Sequence, residues 1–442
     1  MHRPVIGFVT CVHPLYDLPA VAGWREEAAG ELRKCGCEVI LCDAPRTPAQ
    51  AIALAAELAG RDVDLVVLFF CSWVSEEVTL ALARAIATVP LLLWALPYLD
   101  RDIPMPSPMS GLTASGSNIR RMGKPFAHLI GAVARSTVDQ VAGAARAAAA
   151  VGALRRARLG VVGEACPGMI DVAVDDADLQ QALGVTIVHF ELDELLQAAR
   201  STPQSEAEQA ARRLIASSGG RNEVGEESLA DNLRLFVAMR ELAAANRLDA
   251  YCVRCWPELR DHHRITLCTA HALMAEDGVP NTCEVDLPAL VTTYVLHKLA
   301  GKPAFNFDIT AYLAEEGAVQ FAHCGAAAPS LAGDPNQVRL RVHMRTGTGA
   351  TVEFPFPEGT ATLAKLLRPR DGKWRLFVAR GRVIESCGVR GSVATIKPEP
   401  DAAAFLDKMM REAVEHHVAL VYGDWTAELK HFCEFTGVEY LV

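Results

Sequence analysis

The 442-residue sequence has no concentrated basic segment. Lys and Arg number 43 against 53 Asp and Glu, a formal charge of −10, and runs of basic residues are no longer than scattered pairs such as Arg120–Arg121 and Arg155–Arg156. A nucleic-acid partner leaves a basic stripe, so that class is excluded. No uncharged run reaches the ~18 residues that a membrane span requires, and the apolar stretch VDLVVLFFCSWV stops well short. The start MHRPVIGFVT lacks the long apolar run and cleavage site of a secretory signal. The expectation is a cytoplasmic protein with no membrane partner, its thirteen cysteines free thiols rather than a disulfide framework. There is also no Walker A motif, no GxSxG and no HExxH.

What is present is an alternating pattern. PVIGFVT, CEVILCD, VDLVVLFF and VPLLLWAL are short apolar strands separated by helical stretches, and RLGVVGE, VTIVHFE, LDAYCVR, VPNTCEV and PAFNFDI restart the series. Apolar strands alternating with helices predict parallel sheets covered on both faces. Past residue 325 the chain turns to antiparallel β patterns, with NQVRLRVHM and TVEFPF flanking RTGTGA, and WRLFVARGRVIES read as a hairpin turning near Arg380–Gly381. The fold class expected is α/β: two doubly wound parallel-sheet domains, 1–155 and 156–325, then a smaller β-rich domain, 326–442, with a closing helix and strand. A chain this long exceeds one hydrophobic core. The stretch 201–227, rich in Ser, Glu and Gly, reads as a surface loop or flap.

The stretch CEVDLPALVTTYVLHKLAGKPAFNFDI, residues 283–309, holds one helix with a carboxylate outside each end. Leu287, Leu290, Val291, Tyr294, Val295 and Leu299 make one apolar face. Asp286 suits the N-cap, Pro288 the first turn and Gly301 the position after the helix. Capping accounts for Asp286 but not for Glu284, which lies two residues earlier on an apolar strand. A strand–helix–strand unit would place Glu284 and Asp308 at the carboxyl edge of neighbouring parallel strands, where ligands of open sheets collect. His323 ends the strand AVQFAH, and His416–His417 precede another. Carboxylates with one or two imidazoles suit Mn²⁺, or Mg²⁺ where nitrogens are fewer.

The order Glu284, Asp308, His417, with RCWPEL upstream and HHV near the end, resembles the L-fucose isomerase and L-arabinose isomerase superfamily. The resemblance is strongest over 251–325 and 415–424. It implies two α/β domains and a β-rich one, and a metal-dependent aldose–ketose isomerase acting on a monosaccharide through an enediol. It implies Mn²⁺, with Mg²⁺ or Co²⁺ as alternatives, held by Glu284, Asp308 and His417, the two carboxylates also being catalytic. His323 would then meet substrate hydroxyls or be a fourth ligand, and Trp256 would wall the sugar pocket, ordinary core being its other reading. Closed homo-oligomers, commonly hexamers, are also implied, and the N-terminal loop with His13, Tyr16 and Asp17 would then cover a crevice. The chain is shorter than the family's members and combines the fucose-type Asp with an arabinose-type His, which leaves the sugar open.

Other features carry two readings each. GLTASGSN, 111–118, could present Asn118 to a sugar hydroxyl or be a plain loop before a helix. GEACPGMID follows a strand and could line the crevice. The pair Cys252 and Cys255 has no second CxxC at finger spacing. Arg254, Arg260 and Arg264 leave room for an anionic or modified sugar, or are a solvated face. A metal-dependent epimerase or hydrolase, and a cytoplasmic sugar-binding sensor, are the competing functions.

Overall fold

The computed structural model describes residues 2–16, 19–97, 107–386 and 390–442. Asp17 and the proline-rich stretch before GLTASGSN lie outside them. The chain divides into two compact units, 1–153 with 427–439, and 154–426 with 440–442.

In the first unit, strands β1 (Val5–Cys11), β2 (Glu38–Cys42), β3 (Leu65–Phe70), β4 (Leu91–Ala95) and β5 (Ala127–Ile130) pair in parallel in the order β2-β1-β3-β4-β5. Every residue of β3 and β4 is buried, as expected of strands covered on both faces. The helix Thr426–Thr436 joins this unit late in the chain, and its buried Glu428 pairs with Arg146 at 2.6 Å.

The second unit holds two sheets. Strands β6 (Arg158–Val162), β7 (Thr186–Phe190), β8 (Ala250–Val253) and β9 (Asn281–Cys283) are parallel, in the order β7-β6-β8-β9. The other sheet comprises β10 (Phe305–Leu313), β11 (Ala318–His323), β12 (Arg339–Arg341), β13 (Thr351–Pro355), β14 (Gly359–Arg370), β15 (Lys373–Ile384), β16 (Ser392–Pro398), β17 (His417–Tyr422) and β18 (Glu439–Leu441). Its order is β12-β13-β16-β11-β10-β17-β14-β15-β18, and an added β15–β16 pairing closes six of these strands into a ring. The closed strands pair antiparallel throughout. Parallel α/β layers followed by a β-rich region are therefore present.

Three sequence expectations need correction. Asp308 is not on a strand parallel to the one before Glu284: β10 leaves the parallel sheet and pairs antiparallel with β11 and β17. The pull is a ring cluster, Phe305, Phe307, Phe321 and Phe356, with centroids about 5–6 Å apart, which buries apolar area only inside the closed sheet. The stretch 201–227 is not a loop, since it contains the helix Gln204–Ser217. Ala207, Ala210, Ala211 and Leu214 recur at helical spacing beneath a polar composition and pack on the helix Glu226–Asn246. The hairpin turn falls at Asp371–Gly372, both at positive φ, so Arg380–Gly381 lie within β15.

The helix Leu287–Ala300 is the pivot of the unit. Twelve of its 14 residues are buried, because β8 and β9 flank it along with β14 and β17 of the closed sheet. A helix apolar all round is one enclosed by protein. Thr292 ties it to the closed sheet, its Oγ1 accepting from the Leu366 N–H at 2.9 Å.

Candidate active site

Strand β9 stops at Cys283, and the next two residues, Glu284 (φ 69°) and Val285 (φ 60°), are both left-handed. That conformation costs about 1–3 kcal/mol per non-glycine residue and is least natural for a β-branched one. Bonds on both sides hold it. The Glu284 N–H donates to Val253 O at 2.9 Å, Thr282 Oγ1 donates to Asp286 O at 3.2 Å, and Asp286 Oδ1 caps the helix by accepting from the Ala289 N–H at 2.8 Å. The turn carries the chain from strand to helix in two residues and directs the Glu284 carboxylate at His417.

The other groups come from three adjacent strands of the closed sheet. Asp308 on β10 lies opposite His417 on β17 and opposite Ala322 on β11, one residue before His323. Glu284, Asp308, His323 and His417 each offer one ligand atom, and these atoms lie within 4.8 Å of one another. His417 Nε2 is 3.0 Å from Glu284 Oε2 and 3.2 Å from Asp308 Oδ1. His417 is fully buried, whereas the Asp308 side chain is 32% exposed, so the cluster opens on the Asp308 side. Trp256 donates its indole N–H to Glu284 Oε1 at 2.9 Å, which leaves Oε2 as the inward atom.

Behind His417 is a buried pair. Asp286 Oδ2 meets His417 Nδ1 at 2.8 Å and Lys365 Nζ at 2.5 Å, and both partners of that ion pair are sealed from solvent. Such a carboxylate sets the imidazole's tautomer and aims Nε2 at the cluster. Burial alone would raise the Glu284 and Asp308 carboxyls, but His417 and His323 outweigh it and hold both below the usual range. Burial would lower His417, yet Asp286, Asp308 and Glu284 raise it. The arrangement calls for positive charge where Nε2 meets the carboxylates, and a proton or a divalent cation could supply it.

The residues fit a metal. Glu284 Oε2, His417 Nε2 and His323 Nδ1 are buried without a hydrogen-bond partner among the described residues, although two of them converge to ion-pair distance. Unpartnered buried polar atoms are costly and rare in folded proteins. Two carboxylates and two imidazoles form a donor set suited to Mn²⁺ or related hard-to-borderline cations.

The structure brings together four expected residues, with Trp256 beside them. Asn118 belongs to the first unit. GLTASGSN lies inside the helix Pro108–Arg121 of the first unit, and the Asn118 amide donates to Glu76 Oε2 at 3.0 Å and Ala114 O at 3.1 Å. Its small residues serve close packing: a β-carbon on Gly111 would meet Phe70 and Ser72 at 2.8 Å. His416 is outside the cluster, its Nδ1 held by Asp171 Oδ2 of the GEACPGMID loop at 2.6 Å, with its ring 4.0 Å from that of His417. Cys255 sits against Cys166 and Cys283 rather than pairing with Cys252, and all twelve described cysteines are free. Sequence reading missed Lys365 and gave Asp286 only a capping role. The signal was there for Lys365, a charge in the middle of the otherwise apolar run LAKLL.

No family model matches the sequence. A sulfoquinovose isomerase of Priestia aryabhattai is 24% identical over 449 aligned residues, covering 97% of this chain and 97% of that protein. A sulfoquinovose isomerase of Clostridium sp. (strain MSTE9) is 26% identical over 359 residues, covering 79% and 80%. A solved periplasmic solute-binding protein from Actinobacillus succinogenes 130z, with bound D-allose, is 13% identical and covers 68% of this chain and 92% of its own. Its TM-score is 0.19.

Proposed function

We propose that the protein is a divalent-metal-dependent aldose–ketose isomerase acting on a sugar that carries an anionic group, of the sulfoquinovose kind. The carrying observation is the convergence of Glu284, Asp308, His323 and His417 in a chain that aligns over 97% of its length with a sulfoquinovose isomerase. The isomerase class rests on such relatives; the metal rests on the unpartnered ligand atoms.

Glu284, Asp308, His323 and His417 would hold Mn²⁺, with Mg²⁺ or Co²⁺ as alternatives. When bound, the ion supplies Lewis-acid polarisation of the substrate's carbonyl. The chain's own residues do the rest. Interconversion moves a proton between adjacent carbons through an enediol. Asp308, on the open side and kept ionised by His417, takes that proton at Oδ2, the oxygen not facing the imidazole, and returns it to the adjacent carbon. Glu284 stays fixed as the second carboxylate, its Oε1 tied to Trp256. Positioned acid–base groups contribute ~10²–10⁴-fold to such steps. Asp286 and Lys365 orient His417, and the Trp256 ring offers an apolar face to the sugar. A closed homo-oligomer belongs to the same proposal.

The test is conversion of sulfoquinovose followed by NMR, on protein stripped with a chelator and then resupplied with Mn²⁺. Loss and recovery of ketose formation is expected. An undiminished rate in metal-free protein would refute the metal's part, and an epimeric aldose as product would refute the isomerase assignment.

A further inference from the structure

We infer that Arg345, presented by the loop between β12 and β13 beside Arg260 and His343, binds the anionic group of the substrate. The inference rests on the proposed isomerase reading for the identity of that substrate. Arg345, Arg260 and His343 line one cavity together with Trp256 and two of the four clustered residues, Glu284 and His323. A molecule with its reacting carbons at the cluster would extend its far end along this cavity.

The loop that carries Arg345 is built, not slack. Thr266 Oγ1 donates to Ala350 O at 2.8 Å and accepts from the Ala350 N–H at 3.0 Å. Thr346 Oγ1 donates to Thr348 O at 2.8 Å, and the Arg345 N–H donates to His343 Nδ1 at 3.3 Å. Gly349, at φ 70°, passes so close that a β-carbon there would lie 2.6 Å from Thr266 Oγ1. The RTGTG sequence is thus a latch that fixes Arg345 at the cavity.

Charge pairing singles out Arg345. Arg254 faces Glu258 at 2.8 Å, Arg260 pairs with Asp261 at 2.6 Å, Arg341 with Glu223 at 3.0 Å, and Arg390 with Glu353 at 2.6 Å. The Arg345 guanidinium has no hydrogen-bond or ion-pair partner among the described residues. His343 registers the resulting potential: burial, then Arg345 and Arg260, push it down to about 4, so it stays neutral at pH 7. A guanidinium's planar fork matches the oxygens of a sulfonate or phosphate better than an ammonium does. Arg260, over the Trp256 ring at 5.1 Å, extends the same positive wall toward the tryptophan that holds Glu284.

The experiment compares wild-type, Arg345→Ala and Arg345→Lys holoenzymes for Mn²⁺ content, kinetics on sulfoquinovose and its uncharged 6-deoxy counterpart, and calorimetric binding of sulfoquinovose. Arg345→Ala should raise KM and Kd for sulfoquinovose by about 10- to 100-fold, the worth of a hydrogen bond to a charged group. It should leave kcat and Mn²⁺ content nearly unchanged, with Arg345→Lys in between. Any activity on the uncharged sugar should be unaffected. Unchanged sulfoquinovose affinity in Arg345→Ala, or an equal loss for both sugars, overturns the inference while leaving the isomerase reading standing. Arg345-dependent binding of sulfoquinovose in a protein that converts no sugar sustains the inference and removes the isomerase reading.

Discussion

The two parallel sheets of this chain are built alike and end differently. Both alternate apolar strands with helices. In the first unit, the groups just past the carboxyl ends of the strands satisfy one another: the His13 N–H donates to Ser72 Oγ at 2.8 Å, and Ser72 Oγ donates to Trp73 O at 2.8 Å. In the second, the group past β9 is Glu284, held in a strained turn with its inner oxygen facing His417 Nε2 and without a hydrogen-bond partner among the described residues. The difference comes from what lies opposite within that unit: three strands of a closed antiparallel sheet bring Asp308, His323 and His417 to the same point. An open sheet edge offers a crevice. Here a second layer adds convergent carboxylates and imidazoles to it.

The largest effect should come from removing that convergence. Glu284→Gln and Asp308→Asn should each lower turnover by about 10³-fold or more while circular dichroism stays unchanged, since both keep shape and lose a charged carboxylate of the proposed site, the second also its proton carrier. Near-normal turnover in either variant would reduce that residue to a structural role and bring the second sheet edge closer in kind to the first.

The buried support behind His417 comes next. Asp286→Asn should weaken Mn²⁺ binding by about 10–100-fold and destabilise the fold by about 3–5 kcal/mol, because Lys365 is left charged and sealed from water. Equilibrium dialysis and urea unfolding separate the two losses. His417→Ala should release metal outright, whereas His416→Ala, whose imidazole is held by Asp171, should retain it. Metal loss in His416→Ala alone would assign the pair the other way.

The strained turn allows a finer test. Val285→Gly should relieve about 1–2 kcal/mol of backbone strain and raise Tm or leave it level, yet lower turnover, because Glu284 loses its fixed approach. A gain in both stability and turnover would show that the strain has no part in placing the carboxylate.

A separate effect appears in acid. His271 packs beside Tyr251 at the core of the second unit, and burial first, with His323 adding to it, pushes it down to about 3 from its usual 6.5. The folded protein therefore binds fewer protons than the unfolded chain. Stability from this group is whole above pH 6.5 and declines as pH falls toward 3, by about 1.4 kcal/mol per unit. Urea midpoints at pH 7.5 and 4.5 should differ less in His271→Gln than in the wild type. An equal difference would mean that the acid sensitivity arises elsewhere.

Sequence alone determined what depends on local pattern. Continuous apolar runs between helical stretches predicted the parallel strands, and Asp286, Pro288 and Gly301 bounded the helix Leu287–Ala300, because caps and breakers act within a few residues. It also singled out the four cluster residues, by chemical type and by resemblance. Tertiary structure alone decided the partner of each strand. β10 could have returned to the parallel sheet by the same local rules, and it was the burial of Phe305, Phe307 and Phe321 with residues as distant as Phe356 that drew it into the closed sheet. That choice sets Asp308 opposite His417, more than a hundred residues away. It also gives Asp286 a second task beside Lys365 and exposes Arg345 to the cavity. Such long-range pairings rest on packing that no local window contains.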